Sequence, residues 1–242
     1  MSSLLKLPLV VILLTGAAVG ARAQTGRTLT GTSNAEYISR EMDKGRGRGG
    51  AVVTTGSPYL LPAWTQGNVL TTRGRVPQAW LKYDLAEDGR LLWRRAPADS
   101  LELSAADVQE FSLGDPAQGG PFVFRQYPAA QKLKRASRNP FFEVRYDADR
   151  TGLLRQRTRM LVQKGTSPSL ATRPSNVWQE TTAYYLKQPD NTLQPIRLSE
   201  KAVLAALSPT HTAALTQYIA QQQLDLAQEA DLIKLLTYYN TL

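Results

Sequence analysis

Thiol and imidazole chemistry is almost closed to this chain before any fold is considered. Its 242 residues contain no cysteine and a single histidine, His211. A thiol nucleophile, a thiolate metal site and an acylated N-terminal cysteine are therefore excluded. Multi-histidine zinc sites and a diiron bundle fall with them. A Ser-His-Asp triad would have to run through His211 alone, and no G-x-S-x-G supports it. No D-x-D-x-D-G loop offers calcium its oxygens. No cofactor is expected. His211 follows Ser208-Pro209-Thr210 near the start of a predicted helix, where a positive imidazole is disfavoured, and it reads as an exposed surface residue.

Two carboxylate pairs have the composition of an acid–base couple: Asp84 with Glu87, and Asp147 with Asp149. The first flanks the turn signal Asp88-Gly89, and the second sits in the turn-like Asp147-Ala148-Asp149. Turn chemistry accounts for both without catalysis.

Arginine is the chemistry the chain has in quantity. From Arg125 to Arg159 lie ten basic residues: Arg125, Lys132, Lys134, Arg135, Arg138, Arg145, Arg150, Arg155, Arg157 and Arg159. Against Glu143, Asp147 and Asp149 they leave a local excess of seven. Arg155, Arg157 and Arg159 are spaced by two. A strand over Leu153–Val162 puts all three on one face, with Leu154, Met160 and Val162 on the other. At ~3.3 Å per residue they make a stripe about 13 Å long. Planar guanidiniums bind phosphate and sulfate in pairs, so the stripe reads as an anion site, with Lys132, Lys134, Arg135 and Arg138 extending it from a neighbouring loop. The competing reading is an amphipathic strand that puts charge into water. Ion pairing of these arginines with Asp or Glu in the folded chain would remove the anion site.

The elements that must position these groups follow from the pattern. Met1–Ala23 reads as a secretory signal: Lys6, an apolar run from Leu7 to Gly20, and Ala21-Arg22-Ala23 as a small-x-small cleavage site. Its removal takes Lys6 and Arg22, so the formal charge of +9 falls by two and the basic segment accounts for the whole remainder. The expected location is the periplasm, the outer membrane's surface or the exterior. No later apolar run approaches the ~20 residues of a spanning helix. Residues 24–53 read as a flexible leader rich in Gly, Arg and Thr. Its Gly-Arg run is a solvated linker rather than an RNA-binding segment, and no nucleic acid is expected as a partner.

Residues 54–198 carry short alternating strands with turn signals between them, such as Ala79–Leu85, Leu91-Leu92-Trp93, Val108–Leu113, Phe122–Tyr127 and Phe141–Tyr146. The Gly-Pro-rich stretch Gly114–Pro121 marks a break, and the pattern leaves open one sheet system or two small ones. Tyr184-Tyr185 must put one ring on each face of its strand. Residues 199–242 turn helical. Ser199 caps a first helix, Ser208-Pro209 starts a second, and Leu232, Leu235, Leu236 and Tyr239 give a third its apolar stripe. The fold class is β-rich α+β: an antiparallel sheet or barrel-like body with a small C-terminal helical element of about three short helices.

Several segments together carry a resemblance. They are Gly56-Ser57-Pro58-Tyr59-Leu60 with Pro62, Trp64 and Gly67-Asn68-Val69, then Leu81-Lys82-Tyr83-Asp84 and Phe141-Phe142-Glu143-Val144. Leu153-Leu154-Arg155 and Tyr184-Tyr185-Leu186 follow, then Ser199 to Leu204 and Asp231 to Asn240. In this order they resemble a group of exported proteins of Gram-negative bacteria. The resemblance spans about Gly56 to Leu242 and implies a shared envelope-protein fold, with no particular activity.

The expected function is therefore a non-catalytic exported envelope protein that binds or scaffolds. Its expected partners are an anionic envelope glycan, lipid head groups or another envelope protein. The alternatives are a carboxylate-dependent hydrolase of envelope polymers, which needs two acids facing across a cleft, and a partner module using the C-terminal helices.

Overall fold

A computed structural model describes residues 53–86, 89–114, 120–133, 139–164 and 175–242, the side chains of 131 and 132 excepted. The expected signal and leader lie outside the described residues. Eleven strands form one sheet: β1 (Val53–Thr55), β2 (Thr65–Thr71), β3 (Gly74–Tyr83), β4 (Leu91–Ala96), β5 (Asp99–Leu103), β6 (Val108–Leu113), β7 (Phe122–Gln126), β8 (Phe141–Asp147), β9 (Gly152–Lys164), β10 (Ser175–Lys187) and β11 (Leu193–Ile196). Three helices follow: α1 (Glu200–Ala206), α2 (Thr212–Gln222) and α3 (Glu229–Tyr239). Ser199 Oγ accepts from the Ala202 N–H at 3.4 Å, so α1 begins at the cap its sequence signals.

The strand order is β1-β10-β9-β8-β7-β6-β2-β3-β4-β5, with β11 also on β10. The break at residues 114–121 does not divide the sheet, because β6 and β7 pair directly across it. All neighbours are antiparallel except β1 with β10. The path is no simple meander. After β5 the chain returns through the short connection Ser104–Asp107 and lays β6 against β2. So short a return requires strands β2 to β6 to roll up, and among the described residues β5 pairs with β4 alone. The roll also carries the end of β3 toward β9, where Ala86 makes one parallel bridge to Arg159.

Inside the roll lies an apolar core that includes Leu81, Tyr83, Leu85, Leu91, Phe111, Phe124 and Phe141. The Tyr83 ring sits 5.0 Å from Phe111 and 4.8 Å from Phe124. Its hydroxyl is paired with the buried Asn139 amide at 2.7–2.9 Å, as a buried phenol requires. A second core joins Leu153 and Leu186 of the sheet to Val203, Leu215, Leu232, Leu235, Leu236 and Tyr239 of the helices. The apolar stripe of α3 thus packs against the sheet and the neighbouring helices. A third cluster, Tyr127, Phe142, Leu154, Tyr185 and Leu193, covers the opposite face. Tyr185 is buried in it while Tyr184 looks the other way, as the alternation requires.

Two glycines mark close approaches. Asp88 of the Asp88-Gly89 signal lies outside the described residues; on either side of it Asp84 N–H donates to the Arg90 carbonyl at 2.9 Å. Gly89 has φ +63°, and a Cβ there would lie 2.2 Å from the Asn139 side chain. Gly67 is pressed between β3 and β6, next to a bulge at Pro77–Gln78, where proline cannot donate to the ladder. A Cβ on Gly67 would stand 1.9 Å from the Ser112 carbonyl oxygen, a backbone atom that cannot swing aside. Gly67→Ala should lower stability by about 2–3 kcal/mol, the upper range for overpacking a well-filled site. Urea unfolding of the variant checks this, and an unchanged midpoint would show that the strands part freely there.

Candidate functional site

One row of side chains crosses the sheet on a single face. Register pairs Val69 with Phe111, Phe111 with Phe124, Phe124 with Glu143, Glu143 with Arg155, and Arg155 with Tyr184. The row leaves the rolled core, passes through a carboxylate and a guanidinium, and enters the helix-covered core.

Glu143 is 1% exposed and receives three arginines. Arg155 reaches it through Nε at 3.1 Å and Nη2 at 2.7 Å, Arg145 through Nη1 at 2.9 Å, and Arg157 Nη2 lies 2.9 Å away. Glu229, the first residue of α3, closes the group from the helical side. It accepts from Arg145 Nε at 2.5 Å, Arg155 Nη1 at 3.0 Å and the Tyr184 hydroxyl at 2.8 Å. Arg159 donates to Glu180 at 2.9 Å and, through Nη1, to the carbonyls of Ser57 and Tyr59. Arg157 adds a stacking contact over Phe122 at 5.4 Å, while its buried Nε and Nη2 make no hydrogen bond among the described residues, so it meets Glu143 as an ion pair by proximity.

This corrects the anion-binding stripe. Arg155, Arg157 and Arg159 do share one face, but their side chains are only 18%, 14% and 21% exposed and each is paired with glutamate. Arg155 and Arg157 meet the buried Glu143, Arg155 also meets Glu229, and Arg159 meets the exposed Glu180, so internal ion pairs take up the charge of the stripe. Lys134, Arg135, Arg138 and the Lys132 side chain lie outside the described residues. Arg125, on the far face, is taken by Glu110 and Asp147, both at 2.8 Å. Of the Asp147–Asp149 pair, Asp147 serves Arg125 and Lys187. Asp84 is 0% exposed and caps Ala86 N–H at 2.9 Å while pairing with Arg90 at 2.8 Å.

His211 is half-buried rather than exposed. It lies edge-on to Tyr239 at 5.8 Å and lines a shallow pocket of about 460 Å³ with Arg150, Gln188 and Ser208. No carboxylate lines that pocket, and no group of acids and histidines among the described residues could hold a metal.

The open face of the roll carries what the sequence reading missed. Trp80 and Lys82 share a face of β3, and Arg94 of β4 stands directly opposite Trp80. The segment before β2 folds over them, held by the Leu60 N–H to Tyr83 carbonyl bond of 2.8 Å, and brings in Tyr59 and Trp64. Rings and cations then alternate. Lys82 Nζ lies 4.1 Å from the Tyr59 ring centre and 5.9 Å from that of Trp64. Arg94 lies 5.2 Å from Trp64 and 5.3 Å from Trp80. Neither cation makes an ion pair among the described residues, so their partners are aromatic faces. Burial pulls the Lys82 ammonium below its ordinary value. Trp80, at the end of the ladder, is 41% exposed. The same register sets Gln66, Trp80, Arg94 and Ser100 side by side across β2 to β5. The shared face of Trp80 and Lys82 was readable from alternation. The arrival of Arg94, Tyr59 and Trp64 was not.

No protein family, no curated protein and no solved structure matches the chain.

Glu229 gives the polar group a pH signature. Burial alone would raise its carboxyl, but the bonds from Arg145 and Tyr184 and the charge of Arg155 outweigh it and hold it below the usual glutamate value of 4.5. A carboxyl depressed on folding contributes stability above its unfolded pKa, and that contribution is lost as pH falls through the folded value. Glu229→Gln should therefore cost about 3 kcal/mol at pH 7, the low end for opening a buried pair. The gap to wild type should shrink steadily below pH ~4. Denaturant unfolding of both proteins across pH 3–8 checks this, and a pH-independent gap would mean that packing, not charge, is lost.

Proposed function

We propose that the chain is an exported, non-catalytic cell-envelope protein that binds an acidic glycan on the open face of β2 to β5. Export is supported by the signal-like Met1–Ala23, and an envelope role by the resemblance across Gly56–Leu242. The observation that carries the ligand is the row Gln66, Trp80, Arg94 and Ser100, in which an exposed indole stands beside a guanidinium that no carboxylate neutralises among the described residues.

The chemistry fits a sugar that carries a carboxylate. Strands spaced ~4.8 Å apart make this row a platform about 14 Å wide, the span of a short oligosaccharide. The indole face stacks on the apolar side of a pyranose ring, and the guanidinium fork takes a uronate carboxylate in two parallel bonds. The flanking amide and hydroxyl donate to and accept from ring hydroxyls. Stacking of Arg94 between Trp64 and Trp80 fixes the fork in advance, which lowers the ordering cost of binding. The ligand class matches the anionic glycan expected from the charge, but it is met by different residues.

Calorimetric titration with an oligogalacturonate, and with a neutral glucan of the same length as control, tests the proposal. Trp80→Ala and Arg94→Gln should each weaken oligogalacturonate binding by about tenfold or more, equivalent to ~1.4 kcal/mol. Both sit at the surface end of the ladder, and thermal melts should show them folded. Added salt should weaken the wild type and leave Arg94→Gln less affected. Absence of saturable binding, or equal affinity in both variants, would remove the glycan reading and leave the ladder as a clasp for residues 57–64.

A further inference from the structure

The pocket of about 460 Å³ beside His211 is built where two turns of the sheet meet the helical layer. The β8–β9 turn supplies Arg150, and the β10–β11 turn supplies Pro189. The link from α1 to α2 supplies Leu207, Ser208 and His211, and the end of α3 supplies Tyr239. Asn240 ties these parts together. Its Oδ1 accepts from the Arg150 N–H at 2.9 Å, and its Nδ2 donates to the Tyr146 hydroxyl at 3.2 Å and the Leu236 carbonyl at 2.8 Å. Leu207 and Tyr239 are buried, which gives the pocket an apolar floor. Three polar residues line it with their bonding capacity unspent. Arg150 makes no ion pair among the described residues, not even with its neighbour Asp149, and the side chains of Ser208 and His211 make no hydrogen bond among them. Asp190, the acid next to Pro189, accepts from the Thr192 N–H at 2.9 Å and the Thr192 hydroxyl at 2.6 Å.

We propose that this pocket binds a small phosphate monoester: Arg150, Ser208 and His211 take the phosphoryl group, and its organic part rests on Pro189, Leu207 and Tyr239. A cavity of this size with apolar walls and a few converging polar groups is the ordinary form of a small-ligand site. A guanidinium fork takes two phosphate oxygens in parallel bonds. A hydroxyl and an imidazole N–H donate to the others. Donors arriving from two separate elements suit a tetrahedral anion, whose oxygens diverge, better than a carboxylate, whose two oxygens lie in one plane. A neutral ligand would leave Arg150 unused, and a free phosphate would leave the apolar floor unused. The site shares no residue with the glycan row and does not rest on it.

His211 is the chain's single histidine, so its ring C–H signals in NMR report the pocket directly in the untagged full chain. Phenyl phosphate, titrated at fixed pH and ionic strength, should move them to saturation, and phenol should not. Arg150→Gln should weaken phenyl phosphate by about tenfold or more, the loss of a charge-assisted bond pair. Arg150 is exposed and its contact with Asn240 runs through its backbone N–H, so the variant should fold, which a thermal melt checks. Trp80→Ala should leave the titration unchanged, which separates this pocket from the glycan row. Inorganic phosphate distinguishes the sources: weaker binding than the ester supports the monoester, and equal binding overturns it in favour of the free ion. Benzoate binding as tightly as phenyl phosphate would overturn the phosphoryl assignment. A shift that never saturates, or one that is equal in Arg150→Gln, would overturn the site itself.

Discussion

The carboxylate of Glu143 constrains more of this molecule than any other single group. It sits almost wholly buried, and three guanidiniums converge on it. Removing ions from water is costly, and only close, well-bonded partners offset it. The group therefore cannot be assembled piecemeal. Arg155 and Arg157 come from one strand, Arg145 from its neighbour, and Glu229 from a helix. Their meeting fixes the register of β8 on β9 and seats the start of α3. A slip of β9 by one residue would turn Arg155 and Arg157 to the far face and leave the buried Glu143 with Arg145 of its own strand alone. Apolar contacts alone would not forbid that slip, because Leu153 and Leu154 are both buried and each face of β9 has a core to meet. Charge supplies the discrimination that hydrophobicity lacks here.

Much of the architecture is written locally. Alternation marks β3, β6, β7 and β8, and the i, i+3, i+4, i+7 stripe marks α3, because each burial pattern has a period fixed by backbone geometry. Strand order is not local. The return of β6 to β2 rests on how far a four-strand segment rolls, and neither Ser104 nor Asp107 announces it. The fate of the arginines was hidden for the same reason. A spacing of two assigns Arg155, Arg157 and Arg159 to one face, yet says nothing of what covers that face. The partner that matters, Glu229, stands 74 residues beyond Arg155. A basic stripe and a buried ion-pair group look identical until the long-range partners are known.

The same period of two gives strands β3 and β4 independent duties on their two sides. Trp93 and Arg94 are sequence neighbours but face opposite ways, one onto the core inside the roll and the other into the aromatic ladder. The ladder also explains why two uncompensated cations are tolerated: ring faces supply the negative potential that carboxylates supply elsewhere in the sheet. Positive charge is thus handled in two distinct ways within one sheet, by glutamate where the face is covered and by indole and phenol where it is open.

The seating of Glu229 also bears on the order in which the chain acquires its structure during synthesis. Arg145, Arg155, Arg157 and Arg159 emerge well before α3, with only Glu143 and Glu180 to meet them in the sheet. Until Glu229 follows, the interior of the sheet carries an excess of two positive charges that it cannot bury cheaply. The ion-pair group is thus completed only by α3, and a chain cut before Glu229 would leave Arg145 and Arg155 short of one carboxylate.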